Sequence, residues 1–276
     1  MSKPIILAVA PVAHDLPKGC KCGLSAEAVA RDVIACAKAG AAMVHLHVRD
    51  NEGHLSEDLT IYDETLSLIR AESDILIQGS TGGTSDLTCE QRCVALKHPL
   101  TQVASLNVGS INFDDGVYIN TLPEIRYWAK RMVEEEIIPE MEIFDLSMVD
   151  TAKRLIAENL AKPVMALALG FENALQANRH NIDLMFAEMR TIPGSVVGLC
   201  QHDMKNFDLF RYALEKGADV VRVGFEDGYT RDDGTTAATN LDLVNDGIRI
   251  IREMGFELAT PAQAREMLGI PKERNA

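Results

Sequence analysis

The chain has 276 residues, of which 47% are hydrophobic and 25% charged, and its formal net charge is −14. This acidic balance argues against a surface for nucleic acid or anionic membranes, since both require clustered lysine and arginine. No apolar run approaches the roughly 20 residues of a membrane-spanning helix, and we expect no secretory leader, because a strand-like run follows the first four residues directly. We therefore expect a cytoplasmic protein with free thiols, folded as one domain over residues 1–276.

Segments with strand and helix patterns alternate along the chain. The eight predicted strands cover residues 5–11, 43–49, 75–81, 103–109, 139–145, 163–169, 195–201 and 219–225. Capping residues bound the helices between them; Ser25 can cap one helix and Gly40 can end it. Because helices between strands imply a parallel sheet, eight such units predict an α/β fold, the closed (β/α)8 TIM barrel. One extra C-terminal helix is expected to start near Pro261 and to pack on the outside.

Polar residues occupy one face of several predicted strands. Ser105 and Asn107 alternate with apolar residues in the fourth strand, and Glu140 and Glu142 do so in the fifth. Strands of a parallel sheet are normally apolar on both faces. Polar residues toward their carboxyl ends therefore indicate a barrel mouth, where barrel enzymes build their active sites.

The segment VHLHVRD, residues 44–50, places two imidazoles on one strand face. His45 and His47 are two residues apart and therefore point the same way. Catalytic zinc commonly has three protein ligands, and Glu226 at the end of the eighth strand is the candidate third ligand. Alternatively, the two histidines only satisfy hydrogen bonds locally, because an isolated H-x-H pair is a weak signal.

The segment VRVGFED supplies a cation and two acids near the end of the last strand. The planar guanidinium of Arg222 suits carboxylate binding, and Asp227, just beyond the strand, could act as a base. The alternative is an internal ion pair, for example between Arg222 and Glu142, that merely stabilises the barrel interior.

The segment QGSTGGTS, residues 78–85, ends the third strand with small hydrogen-bond donors. Its hydroxyl and backbone N–H groups could hold an anion; the candidates are Ser80, Thr81, Gly82 and Gly83. An ordinary tight turn is the alternative. Ser105 and Asn107 likewise offer hydrogen bonds either to a ligand or to neighbouring strands.

Six motifs in order, VHLHVRD, STGG, ASLNVGS, PEMEIFD, VRVGFED and ATPAQAREMLG, together resemble the β-keto acid cleavage enzymes nearly end to end. The resemblance implies a barrel with a divalent metal, usually Zn²⁺, and acetyl-CoA as co-substrate. The family converts R–CO–CH2–COO⁻ and acetyl-CoA into acetoacetate and R–CO–S-CoA by Claisen and retro-Claisen steps. Barrels of this kind usually form homo-oligomers, so we expect a dimer or tetramer.

The resemblance also implies roles for individual residues. The metal ligands would be His45, His47 and Glu226. Asp227, oriented by Arg222, would remove a proton from the carbon between ketone and carboxylate, while the metal acts as a Lewis acid on the keto oxygen. The positions that hold the keto acid in the family are matched by Ser80, Gly83, Ser105 and Asn107. From the pattern of this chain itself, we expect Thr81, Gly82, His14 and Glu142 to line the same pocket.

One segment departs from the family pattern. Members commonly read APTGA after the first strand, where this chain reads APVAHDLPKGCKC, so that Val12 and Ala13 replace the threonine and glycine. His14 then falls near the position that selects the substrate. The resemblance therefore does not assign the amino-bearing 3-keto-5-aminohexanoate as the substrate, and which β-keto acid is used stays open.

Two other classes fit parts of the pattern. A zinc amidohydrolase or lactonase also uses H-x-H on a barrel, although usually on the first strand and with further histidines at later strand ends. A metabolite-binding barrel without catalytic activity would use Arg222 and the glycine-rich segment to hold an anion.

Overall fold

A closed barrel of parallel strands forms the centre of the computed structural model, which describes residues 3–13, 19–83, 86–113 and 115–271. The described strands are β1 (Ile6–Val9), β2 (Met43–Leu46), β3 (Leu76–Ser80), β4 (Thr101–Asn107), β5 (Ile111–Phe113), β6 (Gly116–Tyr118), β7 (Ile138–Ile143), β8 (Val164–Leu169), β9 (Val196–Gln201) and β10 (Val220–Val223). The barrel order is β1-β10-β9-β8-β7-β4-β3-β2, and β5 pairs with β6 in a separate antiparallel hairpin. The predicted (β/α)8 TIM barrel is confirmed.

Helices connect the barrel strands. The described helices are α1 (Ala26–Ala39), α2 (Thr60–Glu72), α3 (Cys89–Arg92), α4 (Leu122–Glu134), α5 (Leu146–Ala157), α6 (Arg179–Met189), α7 (Asp208–Glu215), α8 (Asn240–Glu253) and α9 (Pro261–Leu268), with a 3₁₀ turn at Val94–Lys97. The predicted caps of α1 are present, because the Ser25 hydroxyl accepts from the Ala28 N–H and Gly40 has φ 134°. Within the described segments, no helix combines the length and apolarity needed to cross a membrane. All six cysteines are free, as expected.

The β5–β6 hairpin was not expected from the sequence. It lies between β4 and α4, and each of its strands has only three residues. Such short strands, buried at only one of their six positions, carry too little periodicity to be recognised. The hairpin matters because it places aromatic side chains beside the barrel mouth.

The barrel interior begins with an apolar layer at the N-terminal ends of the strands. Its members point inward and form one cluster: Ile6, Met43, Leu76, Val103, Ile138, Val164, Val196 and Val220. Ala264 and Leu268 of α9 pack against this layer, and Arg265 donates to the Asp74 carbonyl just before β3. The extra helix exists where predicted, but it closes the N-terminal end of the barrel instead of packing on its outer wall, because that layer offers apolar surface to cover.

Candidate active site

A cavity of about 190 Å³ opens at the C-terminal ends of the barrel strands. It brings together most of the residues predicted for the site: His45, His47, Ser80, Gly82, Gly83, Glu142, Arg222, Glu226 and Asp227. These residues come from β2, β3, β7 and β10 or from the turns that follow them. Distant parts of the chain therefore meet here because parallel strands all end on the same side.

Three potential metal ligands converge on one side of the cavity. The Nε2 atoms of His45 and His47 lie 3.3 Å apart, and they are 3.5 and 3.7 Å from Oε1 of Glu226. One donor atom from each residue falls within 4.8 Å of the others, and among the described residues this is the cluster suited to a cation. Two imidazoles and a carboxylate are a donor set suited to Zn²⁺.

A buried hydrogen-bonded chain orients His45. Its Nδ1 lies 2.8 Å from Oε1 of Gln78, and Nε2 of Gln78 donates to Glu140 over 2.5 Å. An amide oxygen accepts only, so Nδ1 carries the proton and Nε2 keeps a free lone pair toward His47 and Glu226. Support of this kind behind a ligating histidine is typical of metal sites.

Burial also sets the protonation of His45 and Glu142. Burial lowers the pKa of His45 to about 3, so the imidazole is neutral, as a metal ligand must be. Burial raises the pKa of Glu142 to about 7, although Arg222 opposes this rise. The cavity thus combines a neutral histidine with an acid that exchanges its proton near neutrality.

The turn after β10 places Glu226 and Asp227 in the same cavity. Strand alternation would send adjacent residues to opposite faces, but β10 ends at Val223. Gly224 then adopts φ 141°, and a Cβ there would lie 2.2 Å from the Ala10 carbonyl oxygen. Glycine at this position lets the chain turn tightly against β1, so that both acids face the mouth.

Arg222 pairs with the neighbouring acids. Its Nε and Nη2 donate to Asp227 over 2.8 and 2.6 Å, and Nη2 lies 3.5 Å from Glu226. The alternative ion pair with Glu142 is not formed. Burial raises the pKa of Asp227 and the guanidinium opposes this rise, which makes Asp227 a stronger base than an exposed aspartate.

Hydroxyl groups cover the β3 side of the cavity. The Gly82 N–H donates to the Ser80 hydroxyl over 3.0 Å, and the Gly83 N–H donates to the Tyr118 hydroxyl over 2.9 Å. The sequence predicted that these backbone N–H groups could hold an anion, but both already donate to side-chain hydroxyls. The hydroxyls that accept from them stand between the backbone and the cavity.

Other predicted binding residues lie behind the cavity wall. Thr81 donates to the Ser105 carbonyl oxygen over 2.7 Å, and the Ser105 hydroxyl lies 3.3 Å from that of Ser80. Asn107 accepts from the Gly109 N–H, and its buried Nδ2 has no partner among the described residues. His14 lies outside the described residues.

The opposite wall of the cavity is aromatic. Phe171 stacks on His202 with ring centroids 4.5 Å apart and contacts Phe113 and Phe144, each at 5.2 Å. Of these, only His202 stands out in the sequence, because it follows a predicted strand. Gln78 could also have been identified, since it shares the inward parity of Ser80, whereas no sequence signal indicates the other aromatic residues.

Comparisons with known proteins identify the family and the fold of the chain. A family model described as beta-keto acid cleavage enzyme matches residues 4–270. A 3-keto-5-aminohexanoate cleavage enzyme from Fusobacterium nucleatum is 34% identical, with 89% of this chain and 90% of the relative covered. A 3-oxoadipate:acetyl-CoA acetyltransferase from Cupriavidus necator is 32% identical over 85% of this chain and 83% of the relative. A solved complex of ObcA shares the fold, with TM-score 0.75, 22% identity and coverage of 89% of this chain and 66% of that chain.

Proposed function

The chain belongs to the beta-keto acid cleavage enzyme family, and we propose that it transfers acyl groups between a β-keto acid and acetyl-CoA in a metal-dependent reaction. The net conversion is R–CO–CH2–COO⁻ plus acetyl-CoA to acetoacetate plus R–CO–S-CoA. The observation that carries this proposal is one cavity holding a His-His-Glu donor set next to an Arg–Asp pair. Two relatives support the reaction class by their names, 3-oxoadipate:acetyl-CoA acetyltransferase and 3,5-dioxohexanoate:acetyl-CoA acetone transferase.

His45, His47 and Glu226 would hold the metal. The fit rests on the donor atoms themselves, since all three converge within 4.8 Å and Gln78 fixes the tautomer of His45 that leaves Nε2 free. A divalent cation bound there, Zn²⁺ in our proposal, would supply Lewis acidity for the keto oxygen.

Asp227 is the proposed general base. It would take a proton from the carbon between the ketone and the carboxylate, and the resulting carbanion would attack the acetyl thioester and expel CoA thiolate. The thiolate would then add to the R–CO carbonyl and break its bond to that carbon, which gives R–CO–S-CoA, and Asp227 would return the proton to the acetoacetate carbanion. Arg222 holds both oxygens of Asp227 and so fixes its orientation. The pKa of Asp227, raised by burial, favours this proton transfer.

The substrate carboxylate is assigned to the β3 side of the cavity. Ser80 lines the cavity beside Gly82 and Gly83, and Ser105 supports it from behind. A carboxylate held by fixed donors positions the reacting carbon, and such positioning is a major source of rate enhancement.

The proposed function is tested without knowing R. The protein is incubated with unlabelled acetoacetate and acetyl-CoA labelled in its acetyl group, with and without a chelator. Because acetoacetate is itself a β-keto acid, the reaction becomes an exchange that moves label into acetoacetate. We expect exchange that stops with the chelator and returns with Zn²⁺.

Two results would contradict the proposal. Exchange that is unaffected by complete metal removal would exclude the metal from the reaction. Absence of exchange, together with hydrolysis of lactones or amides without acetyl-CoA, would assign the same donor set to an amidohydrolase.

A further inference from the structure

The β5–β6 hairpin delivers Tyr118 to the rim of the cavity. The side chain is buried, with 6% of its surface exposed, and it lines the cavity together with Ser80 and Gly82. A Cβ on Gly82 would lie 2.5 Å from the Tyr118 hydroxyl oxygen. Only glycine at position 82 therefore allows the hydroxyl to approach the end of β3 this closely.

The hydroxyl oxygen of Tyr118 is occupied as an acceptor. It accepts from the Gly83 N–H over 2.9 Å and from Nη2 of Arg92 over 3.4 Å. A phenol has two lone pairs and one proton, so the remaining capacity is donation. Within the described part of the chain Tyr118 donates to no acceptor, and buried donors normally find one.

Arg92 fixes this arrangement from behind. Its guanidinium donates to the Thr81 and Ile119 carbonyl oxygens and to Oδ1 of Asn120, over 3.2, 3.0 and 2.6 Å. It also lies over the Trp128 ring, 4.2 Å from the centroid. The hairpin and the end of β3 are thus tied together, and the Tyr118 hydroxyl is held at the cavity rim.

We propose that Tyr118 is a substrate-binding residue whose hydroxyl donates a hydrogen bond to the carboxylate of the β-keto acid. Burial raises the pKa of Tyr118 to about 12, which keeps its proton in place. The Ser80 hydroxyl repeats the pattern, since it accepts from the Gly82 N–H and faces the same cavity. Hydrogen bonds in series strengthen one another, so two hydroxyls polarised by backbone N–H groups form a site for one carboxylate. This inference rests on the proposed function.

The test compares two ligands on two variants. Acetoacetate and its neutral methyl ester are titrated calorimetrically into Zn²⁺-loaded wild-type protein, Tyr118→Phe and Tyr62→Phe. Tyr62 is the matched control because it is a similarly buried tyrosine, and its hydroxyl lies 3.4 Å from that of Thr101, on another side of β3. Bound zinc is measured for each protein before titration.

A charged hydrogen bond predicts a loss of about 10- to 100-fold in acetoacetate affinity for Tyr118→Phe. The ester affinity should change by less than about threefold, and Tyr62→Phe should match wild type for both ligands. Equal weakening of both ligands by Tyr118→Phe would mean a displaced Gly82–Gly83 segment and would overturn the inference, as would no weakening. If wild-type protein binds no acetoacetate, the proposed function is contradicted, and so is this inference, which rests on it.

Discussion

The two ends of the barrel interior are built from the same strands but differ in kind. On β3, Leu76 belongs to the apolar layer at the N-terminal end, whereas Gln78 and Ser80, on the same face, serve the polar end. On β7, Ile138 is followed in the same way by Glu140 and Glu142. Along one strand, an inward residue that packs in the apolar layer is therefore followed, two and four residues later, by inward residues that belong to the candidate active site.

The apolar end creates the conditions for the polar end. Helix α9 covers the apolar layer, so the N-terminal end of the barrel is closed to water. The groups above it are shielded from water, and this burial raises the pKa of Glu142 to about 7. Stability and chemistry are thus separated along the barrel axis, and this separation can be tested one residue at a time.

The largest contrast is expected between two buried aspartates. Asp227 pairs with Arg222 at the polar end, and Asp219 pairs with Arg190 just before β10. Asp227→Asn should lower kcat for acetyl exchange by about 10²- to 10⁴-fold, because a general base is removed. Asp219→Asn should leave kcat per folded protein unchanged and lower the free energy of unfolding. Equal kcat values in the two variants would end the assignment of Asp227 as the base.

Removing volume from the apolar layer should affect stability alone. Leu76 is fully buried, and Leu76→Ala should lower the free energy of unfolding by about 2–5 kcal/mol through a cavity. Denaturant titration measures this loss, and zinc affinity below the transition should equal that of wild type. A clear fall in zinc affinity would show that the two ends are not separable.

Substitution of Gln78, two residues after Leu76 on β3, should instead lower zinc affinity. Gln78→Met keeps the volume but removes the acceptor that fixes the tautomer of His45. Zinc affinity, measured by competition with a chromogenic chelator, should fall about 10- to 100-fold. Ser105→Ala, which removes a hydroxyl next to Ser80, serves as the control and should keep wild-type zinc affinity. A Gln78→Met protein with unchanged affinity would mean that the chain from His45 to Glu140 has no role at the metal.

The smallest effect concerns the choice of substrate. His14 follows Val12 and Ala13, the residues that depart from the family pattern, and His14→Ala should change the ratios of kcat/KM among several β-keto acids by about tenfold or less. Zinc content should not change. Identical ratios in variant and wild type would remove His14 from substrate selection.

The sequence alone predicted the barrel, its strand positions and most residues of the cavity. This succeeded because strand parity and the ends of parallel strands are local features with a fixed geometric consequence. His45 and His47 are two residues apart, so their common direction follows from the chain itself. The caps of α1 are equally local, since Ser25 and Gly40 act on their own helix.

Tertiary structure alone decided which groups are left to face a ligand. Tyr118 lies in a short hairpin, and its role depends on Gly83 and Arg92, which are distant in sequence. Helix α9 was predicted, but its position at the closed end follows from an apolar layer contributed by all the barrel strands. Hydrogen bonding and burial depend on what the rest of the chain brings near a residue, and that information is absent from any local pattern of sequence.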